Sequence, residues 1–360
     1  MSLFLLLTGF GAALRSWNLA THPLWSDEFA TLVFSLGHGF IDIPLDQVTS
    51  GDRLLESLRV TSGLGPAATL DRLLTESNHP PLYFVLSNLW IHLWQSPGNL
   101  VDLGVARSLP ALLGTLAIPG MYALGRLITP TTPTTPGDRH PFPWVAAGLM
   151  AVSPFGIYLS QETRHYTLGV LWVIASLACW VWIVRHWKPT DEDREALPRW
   201  LPWVWLGVNS LGIATHFFIG ILLLGQAIAL GILVWRWGFP PLRIRWTIAI
   251  AGLGTAATTL AWVPYVQSIP KAGLTDWLSE TVTWTTGLKA IARLLAWAVT
   301  MGVLLPVENQ PVGVLIGSAL VMALATGAIG AGLVIVWRSQ PQKFTSNSPQ
   351  IIAFASLAAS

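Results

Sequence analysis

In 360 residues the chain has 52% hydrophobic and 11% charged side chains, about half the charge of a soluble domain. A formal net charge of +2 gives no field for a polyanion, and no basic patch marks a nucleic-acid partner. The single cysteine, Cys179, excludes an internal disulfide.

Several apolar stretches reach the roughly 20 residues that cross a bilayer as a helix. There are 20 Trp against 5 Tyr, and Trp94, Trp144, Trp187, Trp200, Trp203, Trp235, Trp237 and Trp337 lie near the ends of those stretches. That is the pattern of an aromatic belt at both interfaces. The composition therefore predicts an all-α integral membrane protein with many spans.

The first apolar segment, 3–14, ends at Arg15 and has no basic region before it, unlike a signal peptide. It is short for a span, and 351–359 reads like the opening of another, so both termini read as incomplete. A long polar loop, about 15–79, follows. Within it Leu54, Leu55, Leu58, Leu70, Leu73 and Leu74 recur among Arg and Glu, as in amphipathic helices lying on a membrane surface. A solvated loop with short helices is the alternative. Apolar runs then cover 81–94, 105–128 and 144–159, the last two separated by a Thr- and Pro-rich linker at 129–143. A run at 166–184 leads to a charged loop at 185–199. Runs at 201–214 and 217–234 flank His216, and a turn with Arg236, Arg243 and Arg245 precedes 246–263. A second polar loop, 264–289, contains Trp277 and Trp284, and runs at 290–305 and 312–336 follow. Residues 1–290 read as one module and 291–360 as additional helices.

Arg and Lys close to the span ends at 126–143, 185–199, 236–245 and 338–343 place those loops in the cytoplasm. The 161–165 turn, His216, the 264–289 loop, Asp27 and Glu28 then fall outside. Three apolar stretches separate Glu28 from Gln161, and three crossings would put them on opposite faces. The 81–94 stretch is therefore expected to be re-entrant or partial.

Five places hold residues able to carry chemistry. Asp27 and Glu28 follow the first segment; carboxylates beside hydrocarbon are expensive and usually work at a wet edge. As neighbours in a helix they point apart, so one is expected at the chemistry while the other orients or binds. The bland alternative makes Ser26 or Asp27 a helix N-cap. His79 precedes two prolines and Tyr83. Gln161, Glu162, Arg164, His165 and Tyr166 sit at a junction of spans, where a guanidinium suits a phosphate and an interfacial ion pair is the alternative. His216 occupies a tight turn, and Arg107 opens a span. No transporter-like pair of halves is visible; a transporter or flippase for a lipid-linked or polar substrate is the competing class.

In order, LWSDEF, HPPLYF, ARSLPALLG, SPFGIYLSQETRHYTL and THFF resemble the polyprenyl-phosphate-sugar-dependent glycosyltransferases of the GT-C class. Nearest in pattern is family 39, related to protein O-mannosyltransferases and the lipid A aminoarabinose transferase. The resemblance covers about 1–290. It implies a multi-spanning helical bundle with external amphipathic helices in the first loop, in a bacterial plasma membrane, with the active site outside the cytoplasm. It implies a cell-envelope glycosylation reaction from a polyprenyl-phosphate-linked sugar to a lipid, glycan or protein acceptor. Asp27 matches the acidic motif of the first external loop, as base or acceptor-orienting group, with Glu28 beside it. Glu162 falls in the second acidic loop, where the match is looser. His79 corresponds to a residue near the donor, accompanied by Tyr83, His165 and Tyr166, with Gln161 and His216 as further candidates. Arg164 is the preferred phosphate contact and Arg107 the second. One attack opposite the leaving phosphate would invert the anomeric centre. No cofactor is required, although Asp27 or Glu28 has the chemistry to bind a divalent cation.

Overall fold

The computed structural model describes residues 2–129, 141–187 and 197–268, apart from 42 and 44–46, with shorter stretches between 283 and 327. Most of the expected linker (130–140), the core of the charged loop at 188–196, most of the 264–289 loop with Trp277 and Trp284, the run 291–305, about half of 312–336 and the stretch 338–343 lie outside the described residues. So does everything beyond the expected 290/291 division except a short apolar helix at Val312–Val321 and isolated positions near it.

The described residues fall into two compact units. The smaller contains Ser153–Gly156 and the stretches after 283. Within it the Ser153 hydroxyl accepts the Gly156 amide at 3.1 Å. The larger holds the other described residues.

The chain is helical, and among the described residues the sole β-pairing is one bridge between Arg59 and Leu100. Helix α1 covers Ser2–Ser16, α2 Ser26–Ser35, α3 Gly51–Leu55, α4 Pro66–Glu76 and α5 Leu82–Trp94. Then follow α6 at Leu103–Ile128, α7 at Phe142–Val152, α8 at Pro154–Ser160, α9 at Tyr166–Trp187 and α10 at Leu201–Thr215. Helices α11 at Ile219–Trp237, α12 at Leu242–Leu260 and α13 at Val263–Ser268 come next. Among the described residues four helical stretches are long and apolar enough to cross a membrane, beginning at Leu103, Tyr166, Ile219 and Leu242. The α7–α8 pair, bent by 54°, makes a fifth if it is one span.

Helix α9 is at the centre. One side of it, through Ile174, Leu177 and Val181, packs on Ala117 and Leu124 of α6 and Leu222 of α11. The other, through Trp180, Ile183, Val184 and Trp187, packs on Trp205, Leu233 and Ile244. Where hydrocarbon surrounds a bundle, polar groups must find partners inside it. Here Ser176 donates to Asn209 at 2.8 Å, Gln226 donates to Ser176 at 3.0 Å, and Trp205 donates to Ser176 at 3.3 Å, joining α9, α10 and α11.

Arg15 does not reach for solvent. It is fully buried and donates to the carbonyls of Met150 at 2.7 Å and Ala151 at 3.0 Å. Four residues after Met150 stands Pro154, which has no N–H to offer that carbonyl. A side chain from α1 supplies the missing donor.

The first loop carries helices, as the leucine spacing predicts. In α4, Leu73 packs inward on Phe34 and Phe84, while Leu70 and Leu74 face out with Leu54 and Leu55. Asn88 of α5 ties the loop together by donating to the carbonyls of Ser35 at 2.8 Å and Leu64 at 2.9 Å. Gly37 ends α2 at φ 78°, and a Cβ there would press on Leu64 and Ala68, so glycine is required.

Helix α5 is shorter than the apolar helices long enough to cross a membrane. At 13 residues it is about 20 Å long, too short to span. Its two ends are held by different segments. At one end Gln95 donates to Leu100 O at 2.6 Å and accepts from Asp102 N at 2.9 Å; at the other, Tyr83 faces His165 at 6.4 Å between rings. Helix α6 then runs away and α7–α8 returns. At the opposite end of the bundle Arg185 donates to Leu127 O at 2.9 Å and Trp187 to Gly238 O at 3.2 Å, so the basic turns near 126, 185 and 236–245 gather together.

Candidate active site

The site lies where α2, the start of α6, the 161–165 turn and the turn after α10 meet. Its frame is Glu28. This carboxylate is fully buried, and its Oε1 accepts from Arg107 Nε at 2.7 Å and from the Thr163 amide at 2.8 Å. Its Oε2 accepts from Arg107 Nη2 at 2.7 Å. Arg107 Nη1 donates to the carbonyls of Leu19 at 2.6 Å and His22 at 2.9 Å. A buried guanidinium–carboxylate fork with further hydrogen bonds is the arrangement that makes such a pair tolerable. Arg107 is engaged through all three nitrogens, and Glu28 links α2 to the start of α6 and to the 161–165 turn.

Adjacent helical positions point about 100° apart, so as Glu28 turns inward Asp27 turns out. The Asp27 side chain is 49% exposed, and its Oδ2 lies 3.4 Å from Arg164 Nη2. Helix α2 begins at Ser26 with Trp25 as N-cap and no side-chain capping bond, so neither Ser26 nor Asp27 caps it. As a first-turn carboxylate, Asp27 is favoured by the helix dipole.

Arg164 is nearly buried and held on several sides. Its Nη1 donates to Asp27 O at 3.0 Å and Thr31 Oγ1 at 2.8 Å, and its Nη2 to the Tyr166 hydroxyl at 3.2 Å. The rings of Tyr166 and Trp25 lie 5.2 and 5.8 Å from its guanidinium carbon, within cation–π range. Its Nε is buried without a hydrogen-bond partner.

Behind Arg164 sit three histidines. His165 is 1% exposed, and neither of its ring nitrogens has a hydrogen-bond partner. Its ring lies 4.4 Å from that of His216, 4.7 Å from Tyr166 and 6.1 Å from His79. Burial first, then the neighbouring His216, Arg164 and His79, push the His165 pKa down to about 2. Burial, then Arg164 and His216, lower His79 to about 4, with Asp27 opposing. His216 is lowered too, by burial and by Arg164. All three are therefore neutral imidazoles at neutral pH. The buried hydroxyl of Tyr83 also lacks a hydrogen-bond partner.

Glu162 is buried beside this group; burial chiefly raises its pKa, and its Oε2 has no hydrogen-bond partner. Gln161 faces away, donating to the carbonyls of Leu14 at 3.1 Å and Trp17 at 3.0 Å at the end of α1. The fold thus brings Asp27, Arg164, His79, Tyr83, His165, Tyr166 and His216 together, and uses Glu28, Arg107 and Gln161 as frame. Trp25 and Thr31, which hold Arg164, were not singled out from sequence. Thr31, four residues after Asp27 and on the same helix face, was findable.

A divalent cation on the Asp27–Glu28 pair does not fit this geometry. Glu28 is engaged through both oxygens, Asp27 diverges from it, and among the described residues no three His, Cys, Asp or Glu gather as metal ligands.

No family model matches the sequence, and no curated protein is significantly similar to it. Among solved structures, the apo crystal structure of the Archaeoglobus fulgidus oligosaccharyltransferase is similar at 14% identity and a TM-score of 0.49, over 96% of this chain and 40% of that one. The archaeal oligosaccharyltransferase AglB of the same organism, in complex with an inhibitory peptide and a dolichol-phosphate, is similar at 15% identity and a TM-score of 0.47, over 95% and 39%. The chain spans about two fifths of the length of these proteins.

Proposed function

We propose that the protein is a membrane glycosyltransferase of the GT-C type that moves a sugar from a polyprenyl-phosphate donor to a hydroxyl or amine acceptor on a lipid, glycan or protein. One observation carries the reading: a half-exposed carboxylate, Asp27, pairs with a nearly buried arginine, Arg164, beside neutral histidines at one end of an apolar helical bundle. A weakly nucleophilic acceptor needs a base within hydrogen-bond reach, and a departing phosphate needs positive charge and N–H donors.

In this reading Asp27 takes the acceptor's proton as the acceptor oxygen or nitrogen bonds to the anomeric carbon. The bond from that carbon to the phosphate oxygen breaks on the opposite face, and the polyprenyl phosphate leaves with the electron pair. A single base and one displacement give inversion, unlike the paired carboxylates of glycosidases. Arg164 stabilises the leaving charge mainly through its field, because its Nη atoms already hold Asp27, Thr31 and Tyr166. Arg164 Nε, the His165 ring and the Tyr83 hydroxyl are buried without hydrogen-bond partners, and in this reading they are hydrogen-bonding groups for the phosphate. Arginines cluster at the other end of the bundle, and positive charge favours the cytoplasm, which supports a site on the extracytoplasmic face.

The test uses membranes with and without the protein and a panel of labelled polyprenyl-phosphate sugars. Protein-dependent release of sugar from one donor supports the reading. Protein-dependent movement of intact donor across the bilayer, without release, would replace it with a flippase.

A further inference from the structure

The His79 turn is tied down from a distant part of the chain. Ser77 follows α4 in an extended conformation, so its carbonyl lies outside the helix ladder. The hydroxyl of Tyr265, from α13, lies 2.6 Å from Ser77 O, 3.0 Å from Leu73 O and 3.3 Å from His79 O. One phenolic proton thus serves a cradle of three carbonyls more than 180 residues away in sequence.

The turn so held fixes an imidazole. Ser77 Oγ accepts the His79 amide at 3.2 Å and lies 3.1 Å from His79 Nδ1. With the serine proton on Nδ1, the ring carries its own proton on Nε2. The ring of Trp262, beside Tyr265 at 5.8 Å, also meets Phe217 at 6.2 Å, the residue after His216. The α12–α13 corner therefore touches both turns whose histidines flank His165.

We propose that Tyr265 is a positioning residue of the active site, its hydroxyl holding the Ser77–His79 turn so that the His79 imidazole is kept buried and oriented against His165. The role rests on the glycosyltransferase reading for its consequence, but the anchor itself does not. The charged and titratable groups facing His79 are Arg164 and His165 of the 161–165 turn, His216 and Asp27. Of these, only Asp27 favours its protonation.

The experiment compares wild type with Tyr265→Phe, which keeps the ring and removes the hydroxyl, and with Ser77→Ala, which frees His79 while leaving Tyr265 in place. Backbone amide exchange through 77–85 reads the anchor directly. Tyr265→Phe should speed it about five- to tenfold, the worth of about one hydrogen bond, and leave α9 unchanged. The pH dependence of sugar release reads the positioning. Wild type should hold its rate down to about pH 5, whereas both variants should lose it as pH falls through about 6.5, the ordinary range of an exposed histidine. Unchanged exchange in Tyr265→Phe overturns the anchor. Faster exchange with an unshifted pH profile reduces Tyr265 to a brace and overturns the positioning role. If wild type releases no sugar from any donor, the functional reading fails while the exchange result still stands.

Discussion

Replacing Glu28 with Gln should unfold the protein far more readily than replacing its neighbour Asp27 with Asn. Glu28 accepts three hydrogen bonds of 2.7–2.8 Å, two from a guanidinium, and both side chains of the pair are 1% exposed. Glutamine offers one oxygen for these donors and points an N–H at the rest, leaving a buried, uncompensated Arg107. Breaking one side of a buried pair costs about 3–5 kcal/mol. Asp27→Asn removes one 3.4 Å contact at a half-exposed site and should cost about 0–1 kcal/mol. Denaturant unfolding of the purified protein in detergent measures both. The double variant Glu28→Gln with Arg107→Met should recover most of the loss, since no charge is then stranded. A Glu28→Gln protein within about 0.5 kcal/mol of wild type would refute the clamp, against the usual spread of surface substitutions.

The histidine cluster makes stability depend on pH with a definite sign. His79 and His165 have folded pKa values below the unfolded value near 6.5, so they favour the fold above that value. That contribution is lost as pH falls from about 6.5 towards 4 for His79, and further down for His165. Unfolding free energy measured at pH 7.5 and pH 5 should fall less in His165→Gln than in wild type; equal falls would remove His165 from the titration. Arg164→Ala should raise the donor concentration needed for half-maximal transfer about tenfold or more, and unchanged donor dependence would remove the phosphate role. On a Cys179→Ala background, single cysteines at the exposed positions Ser26 and Phe218 should label from outside and one at Thr134 from the cytoplasm. Labelling of Phe218 from the cytoplasm alone would invert the site.

The apolar runs and the helices of the first loop were legible because length and leucine spacing act locally. The expectation that 81–94 is partial came from parity and its short apolar length, and the helix found there has 13 residues. The division of work between Asp27 and Glu28 was half legible: helical geometry says that neighbours diverge, but not which one turns inward. That choice is made by Arg107, 79 positions away, together with the Thr163 amide. Arg164 looked like a free phosphate fork because sequence does not show Thr31, Asp27 O and Tyr166 already on its nitrogens. Arg15 and Tyr265 escaped notice for a shared reason. Each answers a backbone carbonyl at a helix end, and only tertiary structure brings answer and carbonyl together.

The most direct test of the account asks whether sugar transfer depends on Asp27 specifically. Sugar release from the best donor of the panel would be measured for wild type, Asp27→Asn and Asp27→Glu, with each variant's folding checked by unfolding in detergent. The account predicts a loss of at least about 100-fold in Asp27→Asn, the usual contribution of a positioned base, with stability unchanged and donor binding retained. Asp27→Glu should keep part of the rate. Transfer by Asp27→Asn at the wild-type rate would contradict the central claim and leave the site without its base.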